Sequence, residues 1–250
     1  MNKKRFSLII LLIIFSLCIP GAFAQEFTIP GIELGLTNAT DPEDVAVSLQ
    51  IVFLLTILTL APGILILMTS FTRVVIVLSF VRQGLATQQM PPNQVLIGLA
   101  LFITFFVMSP VFTEVNTNAI QPYMNEEITQ GEALDNALSP VRDFMFKYTR
   151  EADLAMFISA SDTIRPETRD DVPLYVLVPA FVISEIKTAF QIGFLIFIPF
   201  LVIDMIVASV LMSMGMMMLP PMMISLPFKI LLFVLVDGWH MVVRSLITGF

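Results

Sequence analysis

The stretch LMSMGMMMLPPMMISLP, residues 211–227, interrupts a long apolar part of the chain with methionine, glycine and proline. Thioether side chains are unbranched and flexible, so a cluster of them can fill an irregular gap and repack when something passes. Pro220 and Pro221 prevent an uninterrupted helix because neither has an N–H to donate. In hydrocarbon such a break persists only where it is buried in protein or lines a water-filled cavity. The stretch therefore predicts a loop in a protein-lined interior; the simpler interpretation is a mere connection between two membrane helices.

The composition around this loop is that of a membrane protein. The chain has 250 residues, of which 57% are hydrophobic and 13% charged, and its mean hydropathy is +0.90. A soluble domain carries about a quarter charged residues. The net charge of -7 and the absence of a basic patch argue against a nucleic-acid partner.

The amino terminus has the three parts of a secretory signal peptide. Lys3, Lys4 and Arg5 precede an apolar run, and Ala22-Phe23-Ala24 forms a cleavage site of the A-x-A type. We expect residues 1–24 to be removed, and with them Cys18, the only cysteine of the chain. A lipoprotein signal would need small residues just before the cysteine, and Ser16-Leu17-Cys18 followed by Ile19 fits this poorly. Disulfide and thiolate chemistry are then excluded from the mature chain.

The remaining chain alternates between apolar and polar segments. Apolar runs of spanning length predict an all-α fold of long, kinked helical hairpins with a helical domain on the exported side. Hydropathy alone gives four spans. The predicted organisation is a short polar tail at 25–44, a first hydrophobic hairpin at 45–112, a polar and largely helical region at 113–171, and a second hydrophobic hairpin at 172–250 that carries the methionine-rich loop.

Finer boundaries follow from helix-breaking residues and from helical spacing. Pro179 and Pro199 predict breaks in the longest apolar run. Apolar residues at helical spacing predict two amphipathic helices at 132–136 and 139–159. Their apolar faces need a partner, either each other or a neighbouring copy of the chain.

Ionisable residues in the last hundred positions stand in apolar surroundings. Each costs at least about 2.5 kcal/mol at a bilayer centre, so such groups face a partner, a cavity or the interface. We expect Glu185 and Lys229 to form a buried ion pair, within or between subunits. The alternative is that both side chains reach to the interface. The set comprises Glu185, Lys187, Asp204, Lys229, Asp237 and Arg244.

Motifs of catalysis and cofactor binding are missing from the sequence. It contains no P-loop, no G-x-G-x-x-G and no H-E-x-x-H, and His240 is the single histidine. A membrane aspartyl protease would have to use Asp204 and Asp237, which lack the glycine-flanked contexts of such sites. The sequence therefore predicts neither an enzyme, nor a cofactor, nor a metal site.

Five stretches of the sequence are long and unusual: MTSFTRVVIVLSFVRQGL (68–85), PPNQVLIGLALFITFFVMSP (91–110), TREADLA (149–155), PAFVISEIKTAFQIGFLIFIPFLVIDMIVASVLMSMGMMMLPP (179–221) and LPFKILLFVLVDGW (226–239). They resemble the FliP family of flagellar biosynthesis proteins, which also includes the export component of virulence-type secretion systems. The cleavable signal peptide and the intact GMMMLPP block favour the flagellar branch.

The resemblance implies a role in type III protein export through the bacterial inner membrane, in the flagellar basal body. About five copies would assemble with FliQ and FliR into a closed helical cone, with FlhB and FlhA as further partners, and would conduct unfolded flagellar proteins. Family members of this kind are bent hairpins that sit largely on the exported side of the membrane. The span count then describes insertion rather than final position.

The resemblance also assigns roles to individual residues. Met216, Met217 and Met218 match the family's methionine gasket, which closes the pore, within a gate loop that includes Gly215, Pro220 and Pro221. Phe144, Arg150 and Glu151 would lie where neighbouring copies contact each other.

Two other classes of function compete with an export pore. A secondary solute or ion carrier would also have broken helices and charges within the membrane, but carriers usually show two related halves and this sequence shows none. A scaffold that does not conduct would tolerate charged residues in the methionine-rich loop, whereas a gate would not.

Overall fold

The computed structural model describes residues 42–87, 89–161, 166, 168–216 and 219–250. Within these ranges the regular structure is helical and no strand occurs, which confirms the predicted all-α fold. The predicted signal peptide and most of the predicted tail lie outside the described residues. The chain divides into two units, Met1–Phe53 and Leu54–Phe250. The described part of the first unit is residues 42–53, the beginning of the first helix.

Nine α-helices and one π-helical turn make up the regular structure of the described residues. The π-helical turn, Asn116–Ile120, continues the third helix into the short fourth one. The helices are α1 (Pro42–Leu67), α2 (Phe71–Gly84), α3 (Asn93–Val115), α4 (Gln121–Met124), α5 (Gln130–Tyr148), α6 (Glu151–Ala160), α7 (Leu174–Ser213), α8 (Pro221–Leu235) and α9 (Gly238–Thr248).

Helix α2 forms the centre of the core although its apolar run is short. Val74, Val77, Leu78 and Val81 are fully buried, and their i, i+3, i+4 and i+7 spacing places them on one helix face. They pack in one cluster with residues of α3, α7, α8 and α9. A second cluster joins α3, α5 and α7 around Phe181. This short helix therefore lies inside the protein, where the longer helices pack against it.

The amphipathic helices of the polar region have other boundaries than predicted. Helix α5 begins at a capping box, in which Thr129 and Glu132 satisfy each other's backbone N–H groups. It continues through Pro140 to Tyr148, so the predicted boundary at 136–139 is wrong. The chain extends at Thr149 and α6 then begins, because the Arg150 N–H donates to Ser184 Oγ on α7 at 3.0 Å instead of continuing the helix.

Helix α7 is also more continuous than predicted. It runs for 40 residues with Pro179 and Pro199 inside it, so the expected breaks at these prolines are wrong. A proline removes one intrahelical hydrogen bond, and packing against neighbouring helices can hold the rest of the helix together. At 1.5 Å per residue the helix is about 60 Å long.

Two described helical segments are long and apolar enough to cross a membrane: Asn93–Met124, which runs through α3 and α4, and α7. A third span is possible if α8 and α9 act together, but these helices are bent by 60° relative to each other. The apolar part of α1, Leu49–Ile64, is shorter. The four spans counted from hydropathy are therefore two or three in the described part of the chain.

Candidate functional site

The methionine-rich loop begins where α7 ends in a left-handed glycine. Gly215 has a φ of +75°, a conformation that disfavours residues with a Cβ. Its N–H donates to the Met212 carbonyl at 3.0 Å, and the Met216 N–H donates to the Leu211 carbonyl at 3.0 Å. These are the two bonds of a Schellman cap. The helix therefore stops at a fixed position in front of the predicted gasket.

The other end of the loop is defined by the two prolines. Pro220 precedes α8 and Pro221 is its first residue. Proline suits this position because its missing N–H would have no partner there and its φ matches the helix. Met217 and Met218 lie outside the described residues. Of the three predicted gasket residues, the structure describes Met216, which is exposed.

The methionines around the loop expose a large part of their side chains. Apolar surface of this kind on a single chain marks a contact with lipid or with another protein. Their flexibility allows them to adapt to partners of different shape. The exposed fractions are 59% for Met212, 67% for Met214, 41% for Met216, 59% for Met222 and 63% for Met223.

A buried lysine connects the two helices that hold the loop. Lys229 Nζ on α8 lies 2.6 Å from Asp204 Oδ2 on α7, and Ser225 Oγ donates to Asp204 Oδ1 at 2.5 Å. Lys229 is 2% exposed, so the ammonium depends on this carboxylate for its charge partner. Ser225 and Lys229 are four residues apart and share one face of α8. The contact fixes α8 against α7 below the loop.

A second buried ion pair joins α2 to α7. Arg73 Nε donates to Glu185 Oε2 at 2.8 Å, and a second guanidinium N–H donates to Oε1. Glu185 is fully buried and Arg73 is 4% exposed. Such a two-pronged pair is the strongest geometry available to a guanidinium and a carboxylate.

The predicted pair between Glu185 and Lys229 is therefore wrong within one chain. Each of the two groups is buried, but each has another partner: Arg73 for Glu185 and Asp204 for Lys229. Spacing along the sequence could not reveal the first pair, because Arg73 and Glu185 are 112 positions apart. The second pair could have been considered, since Asp204 was among the ionisable residues of the same hairpin.

The last two residues pack onto the Arg73–Glu185 pair. Arg73 donates to the Gly249 carbonyl at 3.0 Å, and its guanidinium lies 3.8 Å from the centre of the Phe250 ring. Lys147 Nζ donates to the Phe250 backbone oxygen at 3.1 Å, and the Tyr148 hydroxyl donates to the same oxygen. This contact holds α5 against α2 and α7.

The three predicted subunit-contact residues have different environments. Phe144 is 8% exposed and packs against the rings of Tyr148, Phe181 and Phe250, so its place is inside the single chain. The half-buried Arg150 donates to Gln191 Oε1 on α7 at 2.6 Å. Glu151 is exposed at the start of α6. Of the three residues, Glu151 is therefore the one that the single chain leaves exposed.

The described part of the chain contains no group of three or more His, Cys, Asp or Glu side chains that could hold a metal ion. The groove between α7 and α8 has a volume of about 440 Å³ and is lined by apolar side chains alone, among them Ile206, Leu211 and Phe228. The site as a whole consists of an apolar, methionine-rich end and two ion pairs that fix its helices.

Comparison with known proteins gives one consistent result. The sequence model of the FliP family matches residues 54–246. The chain is 62% identical over 217 residues to "Flagellar biosynthetic protein FliP" of Bacillus subtilis (strain 168), which covers 87% of the chain and 98% of that protein. The protein of the same name from Pectobacterium carotovorum subsp. carotovorum is 55% identical over 81% of the chain and 79% of its own length. The one from Aquifex aeolicus (strain VF5) is 49% identical over 89% of the chain and 92% of its own length. The matched range contains the methionine-rich loop and both ion pairs.

Proposed function

The chain belongs to the FliP family of flagellar biosynthetic proteins and is a component of the flagellar export apparatus, and from this premise we propose that it lines the export pore and closes it with its methionine-rich loop. Several copies, about five by the family resemblance, surround a common axis in the bacterial inner membrane together with FliQ, FliR, FlhB and FlhA. Unfolded flagellar proteins pass between them. The chain itself acts as a conduit and not as an enzyme.

The observation that carries this proposal is the exposure of the methionines at the end of the α7–α8 hairpin. The Schellman cap at Gly215 and the prolines at the start of α8 hold both helix ends in place. Met212 and Met214 at the end of α7 and Met216 after it remain exposed. Fixed helix ends with flexible side chains suit a seal that must close both the empty pore and the pore that holds a passing polypeptide.

The length of α7 supports an assembly rather than a single chain in lipid. The helix is about 60 Å long, whereas the hydrocarbon layer is about 30 Å thick. Large apolar side chains are exposed along most of it, from Tyr175 through Ile183 and Phe190 to Met212, a stretch of about 55 Å. Apolar surface beyond the hydrocarbon needs protein to cover it, and neighbouring subunits of a ring supply that cover.

A solute carrier has less support. Its charged residues would face a cavity that admits the solute, but Asp204 and Lys229 are bonded to each other and the adjacent groove is apolar. The two pairs instead fix helices, as expected for the walls of a pore.

The seal is tested by replacing Met216, Met217 and Met218 together by Ala. The loss of three flexible side chains from each copy leaves a gap, so we expect normal assembly but a large increase in ion conductance across the membrane. The control replaces three exposed methionines outside the loop, Met124, Met156 and Met241, and should leave the conductance unchanged.

Native mass in mild detergent, with and without the small membrane partners, establishes that each variant assembles. Unchanged conductance of the loop variant in assemblies of normal mass would refute the seal. A mass corresponding to one or two copies, unaffected by the partners, would refute the ring itself.

A further inference from the structure

A second apolar groove lies between α3 and α9. Leu99 of α3 forms one wall, and Trp239, Val243 and Ile247 of α9 form the other. The volume of about 560 Å³ is within the range of about 300–1,000 Å³ that is usual for small-molecule sites. We call this space the α3–α9 groove.

The groove is built by a rigid bend. The backbone turns at Asp237, which has a φ of +50°, and α9 leaves α8 at 60°. Gly238 makes this possible because a Cβ at this position would lie 2.3 Å from the Phe233 ring. Val242 and Leu246 of α9 are buried beneath the groove. The position of α9, and with it the groove, is therefore fixed by the fold.

Two exposed nitrogen-bearing side chains stand at the rim of this apolar groove. His240 and Arg244 are four residues apart and lie on the same side of α9. Within the described residues neither side chain has a hydrogen bond or an ion pair, whereas Arg73, Arg82, Arg142 and Arg150 all have partners. The groove lining contains no carboxylate. An occupant would therefore combine an apolar body with a negative charge.

We propose that the α3–α9 groove binds an anionic phospholipid, with an acyl chain along Leu99, Val243 and Ile247 and the phosphate at Arg244 and His240. The location supports this ligand because α3 belongs to a segment that is long and apolar enough to cross a membrane, so the groove meets lipid when the chain inserts, whatever depth the assembly takes afterwards. Trp239 also fits, since its ring has an apolar body and a polar N–H and is enriched at membrane interfaces. This proposal does not depend on the methionine seal.

Trp239 makes the proposal directly testable because it is the only tryptophan of the chain. The full chain is reconstituted in phosphatidylcholine vesicles that contain a small fraction of phosphatidylglycerol, and bromine is placed on the acyl chains of one lipid or the other. Bromine quenches tryptophan fluorescence at short range. We expect brominated phosphatidylglycerol to quench Trp239 more strongly at equal mole fraction, and the difference to shrink as salt is raised.

Arg244→Gln should weaken the preference for phosphatidylglycerol about fivefold, the effect of one cationic side chain near an anionic membrane. Lys187→Gln is the matched control, because it removes the same charge from an exposed position of α7 outside the groove. Its preference should equal that of the unmodified chain.

Three results would overturn the proposal. Equal quenching by both brominated lipids would show that the groove does not recognise the headgroup. Quenching by neither would show that protein, such as a second copy, covers Trp239. Equal loss of preference in Arg244→Gln and Lys187→Gln would show an effect of total charge rather than of this site.

Discussion

Replacement of Glu185 by Ala should destabilise the protein more than replacement of any exposed carboxylate by Ala. The substitution leaves the Arg73 guanidinium only 4% exposed and without its carboxylate. The Gly249 carbonyl and the Phe250 ring remain, but neither carries a negative charge. Breaking a buried ion pair from one side costs about 3–5 kcal/mol. For a chain of this size that corresponds to a fall in Tm of roughly 6–20 °C.

The assay is thermal unfolding in one fixed mild detergent, followed by the fluorescence of Trp239. The matched control is Glu151→Ala, which removes an exposed carboxylate from the start of α6. Surface changes of this kind stay within about 0.5 kcal/mol, so its Tm should move by no more than about 2 °C.

The double variant Arg73→Met with Glu185→Leu separates the charge from the packing. Replacing both members of a buried pair by apolar residues of similar size is often neutral or stabilising. We therefore expect the double variant to recover most of the loss of Glu185→Ala. The reasoning fails if Glu185→Ala behaves like Glu151→Ala, or if the double variant is no more stable than the single one. A double-mutant cycle of Glu185 with Lys229 should instead be close to additive, because these residues do not contact each other.

Two smaller predictions concern backbone positions. Gly238→Ala forces a methyl group against the Phe233 ring and should lower the free energy of unfolding by about 1–3 kcal/mol in the same unfolding assay. The control is Gly98→Ala, whose methyl group meets nothing within 4 Å and which should be neutral or slightly stabilising. The hydrogen bonds from the Thr129 backbone and hydroxyl lower the pKa of Glu132 below its ordinary value of 4.5. The capping box should therefore protect the first turn of α5 from hydrogen exchange above about pH 4.5, and this protection should be lost as the pH falls through the lowered pKa. Glu132→Gln should abolish the pH dependence of the protection.

The helices could be predicted from composition, but their ends depend on contacts between distant segments. The predicted hairpin bounds at 112 and 172 lie three residues from the end of α3 and two residues from the start of α7. The end of α5 could not be found in this way, because it is set by a bond from Arg150 to Ser184 on another helix. Pro179 and Pro199 were expected to break α7. At both places, contacts with other helices override the intrinsic helix propensity of the residues.

For the charged residues, the local sequence indicates which groups need a partner but not which partner each one finds. A high cost in apolar surroundings correctly singled out Glu185 and Lys229 as groups that need partners, and both are buried. Which partner each one finds depends on the packing of α2 and α8 against α7, and no spacing rule gives that. The groove between α3 and α9 could not be predicted from the sequence either, because it arises from a bend at Asp237 that brings two helices distant in sequence together.

The two ion pairs explain how a long and mostly exposed helix can position a loop. Glu185 and Asp204 lie nineteen residues apart on α7, about 28 Å of helix, and each is bonded to a different helix. Beyond Asp204 the helix continues for about 15 Å to the loop with its apolar side chains largely exposed. Fixed points at both ends of the middle section keep α7 from sliding or rotating, because either motion would separate a buried charge from its partner. In the proposed seal, the methionines at the end of the hairpin would adapt to a passing chain while the helices that carry them stay in place.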